Sequence, residues 1–145
     1  MSRRTSIIKA LTEKLKLIDG TAPYKTNVFG NAYSYLRFWD ETNDFPSIYT
    51  VAGSEQREYL PGDFTWAYLN VTLKLYCKGE DSQQDLEELL EDVERVIHDN
   101  RVLKYDETNG YETTEILVTS IITDEGLLAP YSIGEMTIQV RYALM

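Results

Sequence analysis

The chain has 145 residues, 43% of them hydrophobic and 26% charged, which suits one folded domain with a real core and argues against disorder. Its 24 acids and 14 bases leave a formal net charge of −10. That is the wrong sign for wrapping nucleic acid, yet it suits a surface past which DNA must slide without sticking. The single cysteine, Cys77, excludes an intrachain disulfide framework, and no apolar run approaches the roughly 20 residues of a membrane helix.

The opening MSRRTSIIKALTEKLKLIDG is basic but lacks a long apolar stretch and a small-residue cleavage site, so it does not read as a signal peptide. Ile7, Leu11, Leu15 and Ile18 recur at helical spacing, with Lys9, Lys14 and Lys16 mostly opposite. This predicts a first helix over about residues 6–18, capped by Thr5 or Ser6 and ended by Gly20. A basic amphipathic helix can lie on a membrane, but an apolar face this poor in aromatics reads as a core stripe. YKTNVF suggests a short strand. NAYSYLRFWDETND is aromatic-rich without a clean period. FPSIYTVAG reads as a strand ended by Gly53, followed by a polar loop, SEQREYLPGD, with a turn at Pro61-Gly62.

FTWAYLNVTLKLYCKG is the clearest strand. Ala67, Leu69, Val71, Leu73, Leu75 and Cys77 alternate with Trp66, Tyr68, Asn70, Thr72, Lys74 and Tyr76. Its length suggests an arm of a hairpin reaching beyond the domain body. DSQQDLEELLEDVERVIHDN is the clearest helix, with Leu86, Leu89, Leu90, Val93 and Ile97 on one stripe, Ser82 as its cap and Asp85 in capping-box position. Residues 102–113 read as a polar connection with a turn at Asn109-Gly110. EILVTSIIT then reads as a strand buried on both faces, and EMTIQVRY as an alternating last strand. The expected architecture is one α+β domain over residues 1–145. Its mostly antiparallel or mixed sheet has four to five strands, with two helices packed on one face. The second helix is a crossover, right-handed if the strands it joins are parallel.

The loop between the last two strands carries Asp124, Glu125, Gly126, Pro130 and Gly134, with Glu135 just beyond. Three carboxylates suit a hard cation, but no calcium-loop spacing is present, and neighbouring acids are expected in so acidic a chain. Gly126 and Gly134 allow unusual backbone angles, and Leu127, Leu128 and Tyr131 are apolar enough to pack on the domain or a neighbour. The only histidine, His98, lies at the end of the acidic helix, and Cys77 faces the core, so no nucleophile–base pair is legible. No phosphate-loop or dinucleotide glycine motif occurs. Neither catalytic, cofactor-binding nor metal-ligating residues are assigned, and the chain is not read as an enzyme.

FPSIYTVAGSE, TWAYLNVTLKLYCKG, DLEELLEDVERVI and TDEGLLAPYSIGEMTIQVRY, in that order and spacing, resemble the tail terminator proteins of long-tailed bacteriophages, the minor tail protein U-like or tail completion family. The resemblance implies a structural virion protein at the head–tail junction, assembled in the host cytoplasm. It implies a sixfold homo-oligomeric ring that caps the tail tube, stops its polymerisation and receives the head completion or connector protein. DNA passes through the lumen without specific binding. The family carries no fixed contact motif, so interface candidates come from position alone. Residues 54–63 with Arg57, and the arm at Phe64, Trp66 and Tyr68, are placed to reach the tube or a neighbour. Arg3 and Arg4 suit the acidic helix of a neighbour near Glu88 and Glu91, and Leu127 and Tyr131 suit a packed loop. Competing readings are a head–tail connector or other neck protein, a small acidic domain mimicking nucleic acid, and a carboxylate–metal enzyme using Asp124, Glu125 and Glu135.

Overall fold

The computed structural model describes residues 1–144. The first helix, α1 (Arg3–Leu15), starts three residues earlier than the periodicity suggests and ends three earlier. Ser2, not Thr5 or Ser6, is the cap: its backbone is extended, and its Oγ accepts a bond from the Thr5 N–H at 3.1 Å. Ile18 stays in the core although it lies beyond the helix, because a tighter turn links its N–H to the Leu15 carbonyl. YKTNVF forms no strand; only an isolated bridge joins Asp19 to Asn27.

The chain then builds β1 (Ala32–Tyr33), β2 (Ser47–Leu60), β3 (Phe64–Lys78), α2 (Ser82–Asp99), β4 (Lys104–Asp106), β5 (Tyr111–Thr123) and β6 (Tyr131–Leu144). All six strands share one sheet in the order β1-β2-β3-β6-β5-β4. Only β1–β2 is parallel; the other pairs are antiparallel. The sheet thus has six strands rather than four or five. The two extra are edges of two and three residues, too short to carry a period.

The centre of the sheet is the β3–β6 ladder, in continuous register from Thr65↔Leu144 to Lys78↔Tyr131. Alternation buries Ala67, Leu69, Val71, Leu73, Leu75 and Cys77 on β3 and Gly134, Met136, Ile138, Val140 and Tyr142 on β6. These meet Ile7, Leu11 and Leu15 of α1 and Leu86, Leu89, Val93 and Ile97 of α2 in one apolar core. Each such side chain contributes about 2 kcal/mol when fully buried. Both helices therefore lie on one face.

Three other expectations change. β3 is not a free arm, because β2 and β6 flank it along almost its whole length. Residues 54–60 are not loop but the outer half of β2. After a bulge between Ala52 and Glu55 they pair with β3 through Leu60↔Phe64, so only Pro61, Gly62 and Asp63 form the turn. Their polarity, which suggested a loop, reflects an edge that extends beyond the helices. EILVTSIIT lies in β5, but Ile116 is its only fully buried apolar residue, since α2 covers the start of that strand and leaves its far half open.

The crossover is real: β3 and β5 flank β6 on opposite sides and run parallel, and α2 spans between them. Ser82 is the first helical residue and does not cap. Asp81 precedes it, and the Ser82 Oγ is buried, accepting a bond from Ser132 on β6 at 3.0 Å. Gly134 lies inside β6 rather than at a hinge. A Cβ there would stand 3.0 Å from Leu86 Cδ1, so glycine permits the close approach of helix to sheet. Further along α2, the buried Asp92 carboxylate accepts the N–H groups of Lys25 and Thr26 at 2.8 to 3.1 Å and the Thr26 hydroxyl. It clamps the irregular segment after α1 to the helix.

Asp92→Ala removes the acceptor of these half-buried bonds, and chemical denaturation should show a loss of about 2 kcal/mol, with Asp92→Asn losing less. Gly134→Val should cost about 1 to 3 kcal/mol by overpacking Leu86, and Gly134→Ala less, because Leu86 needs to yield only slightly.

Candidate assembly surfaces

The face of the sheet opposite the helices has two halves. Where β2 and β3 meet the turn before Pro46, residues 34–45 fold across it. Tyr49 stacks on Tyr33 with centroids 5.1 Å apart and meets Tyr76 at 5.4 Å. The Tyr49 and Thr42 hydroxyls are 2.7 Å apart, and the Tyr76 hydroxyl donates to the Arg37 carbonyl at 2.7 Å. A second, aromatic core results, holding the segment that showed no period in sequence. Tyr131 belongs to it: Trp39 and Phe45 lie 5.0 and 5.8 Å away, with the Lys78 ammonium 5.1 Å from its ring.

The other half of this face is open. The Arg141 guanidinium lies 4.3 Å over the Trp66 ring while its Nε donates to Thr114 at 2.9 Å, and Phe64 meets Trp66 edge-on at 4.9 Å. Tyr68 stands beside them, its hydroxyl 3.5 Å from Glu58. Sequence reasoning missed Arg141, although the alternation of EMTIQVRY puts it on the same face as Trp66 once the two strands are paired.

Arg57 turns to the other side of β2. It donates to Glu55 at 2.8 Å, and that carboxylate, with only 6% of its side chain exposed, also accepts from the Tyr142 hydroxyl. The β-bulge makes this possible, since it shifts the parity so that Glu55, Arg57 and Tyr59 share the helix side of the strand. No pattern in the sequence marks a bulge.

The terminal arginines are engaged within the chain. Arg3 donates to the Ala143 carbonyl at 2.7 Å and lies 4.0 Å over Tyr111, and Arg4 donates to the Gly53 carbonyl. Of the acids on α2, Glu91 pairs with Lys25 at 3.1 Å, and Glu88 borders a small groove beside the same lysine. The structure therefore does not bring Arg3 or Arg4 to Glu88 or Glu91 within one chain.

The carboxylate loop is a structural connection. Asp124 caps it, accepting from the N–H groups of Leu128 and Ile133 at 3.2 and 3.1 Å. Gly126 adopts the positive φ of 84° that the turn demands. Glu135 leaves the loop for the open face and pairs with Lys74 at 2.6 Å. Leu127 is 84% exposed at the tip, packing on nothing in its own chain. Among the described residues no three His, Cys, Asp or Glu side chains gather as a metal site. Cys77 is buried, which pushes its thiol up to about 12, and His98 lies exposed on α2.

Such surfaces suit contact with other proteins. Over residues 1–145 the chain matches the family described as Bacteriophage Tail Tube Terminator Protein, and it belongs to that family of structural virion proteins of the phage tail. It is 36% identical over 152 aligned residues to tail tube terminator protein p142 of Escherichia phage T5, covering 98% of this chain and 94% of that one. A chain in the virion of a native gene transfer agent particle has the same fold, with a TM-score of 0.63 at 9% identity over 99% of this chain and 100% of that one.

Burial is the main reason that the phenols of Tyr33 and Tyr76 are pushed up to about 12, with the Asp44 hydrogen bond adding to the shift at Tyr33. The unfolded chain releases these protons, and that of Cys77, near the ordinary values of 10.0 and 9.0. Their contribution to stability is therefore complete below about pH 9 and declines as pH rises toward 12. Thermal melts in an alkaline pH series should show this decline, and Tyr76→Phe should flatten it.

Proposed function

We propose that the chain forms a closed, sixfold ring that sits on the last ring of the tail tube, ends its polymerisation and offers its other side to the head connector. The observation that carries this reading is the match to tail tube terminators along the whole chain, p142 of phage T5 among them. The molecule suits it physically. Its sheet presents an open, aromatic and polar face carrying Trp66, Tyr68 and Arg141, of the kind found at the centre of protein interfaces. The protruding Leu127 and the β2–β3 tip with Arg57 and Phe64 are further contact points. A net charge of −10 repels DNA moving through a lumen. A head-to-tail interface closes into a ring when its rotation permits.

Added to polymerising tail tube subunits, the protein should shorten and narrow the tube-length distribution, and micrographs should show it at one end only. Light scattering of the capping species should give about 100 kDa, six copies of the chain. Tubes that grow unchanged, with no protein at either end, would overturn the reading.

A further inference from the structure

We infer that the two long free edges of the sheet are the two halves of one joint. The β2 edge of one copy, over residues 51–60, takes the β5 edge of the next copy, over residues 116–123, and the sheet continues across the subunit boundary. The inference rests on the ring reading and names the surface that closes it.

Neither edge has a strand partner over most of its length, and on β2 the Gly53 carbonyl accepts from Arg4. β1 pairs only with Ile48 and Tyr49 of β2, and β4 only with Tyr111 and Glu112 of β5. Among the described residues no strand pairs with the remainder of either edge. Natural edges of this length are normally guarded by charge. Residues 116–123 of β5, ILVTSIIT, carry none, and Leu117, Ile121 and Ile122 are 46%, 41% and 61% exposed. An uncharged, β-branched edge left open in the monomer is one that the assembled state covers.

The directions fit. Three antiparallel steps separate β2 from β5, so the two edges are antiparallel to each other. A rotation that keeps the same face inward therefore joins β2 to the next β5 as an ordinary antiparallel ladder. The free rows of β2 lie toward the β2–β3 turn and those of β5 toward the opposite end, which staggers each copy along the strand direction, as closing a tilted sheet requires.

The test uses particles assembled with variant chains. Ala52→Cys, Gln56→Cys or Glu58→Cys on β2 is combined in one chain with Thr119→Cys, Ser120→Cys or Ile122→Cys on β5; the native thiol is buried and stays silent. Mild oxidation should link at least one pair into a ladder reaching six chains on a non-reducing gel, while the single variants give none. If rings appear at the tail end but no pair links, or if a β2 single variant links into dimers, the edge joint is wrong while the ring reading stands. If no chain is found at the tail end, the ring reading itself fails and the joint with it.

Discussion

The β3–β6 ladder is the constraint on which everything else in this molecule depends. Fourteen residues of each strand stay in one unbroken register, and every second one is buried. A slip of a single residue would turn Leu69, Val71, Leu73 and Leu75 to solvent and bring Asn70, Thr72 and Lys74 into the core. Apolar burial on one face thus fixes the register, and the register fixes what the other face displays. Trp66 meets Arg141, and Lys74 meets Glu135, because these residues are left over on the far side of that ladder.

The helices follow from the same ladder. β3 and β5 flank β6 and run parallel to each other, so the chain must cross the sheet between them, and α2 is that crossing. Gly134 lets Leu86 approach β6, and Asp92 then reaches outward to tie down Lys25 and Thr26. One small residue and one buried carboxylate place the helix along its length.

The molecule divides its aromatic residues between two tasks. Tyr33, Tyr49 and Tyr76 close a satellite core beneath residues 34–45, while Trp66, Tyr68 and Phe64 remain on open sheet. The difference is whether a segment of the chain lies over them. Acidic residues divide similarly. Asp92 and Asp124 satisfy backbone donors within the fold, whereas Glu88 and Glu94 line grooves at its surface.

Periodicity was enough to reveal the elements whose burial is one-sided over many residues. α2, β3 and β6 stand in the sequence nearly as they stand in the fold, with Leu86 to Ile97 on one stripe and Ala67 to Cys77 on one face. The family too was legible, in the order of four segments rather than in any motif. The sequence was silent wherever a partner far along the chain makes the structure. β1 and β4 are strands only because β2 and β5 lie beside them; residues 54–60 are a strand only because β3 supplies hydrogen bonds; Glu55 is buried only because a bulge shifts its parity. The open half of β5 read as buried because its side chains are apolar on both faces, and composition records affinity for a core without recording how far the helices reach. Local chemistry determined which segments are regular and what each face can bind. Tertiary structure alone decided which faces are covered, since coverage depends on residues that the chain brings together from far apart.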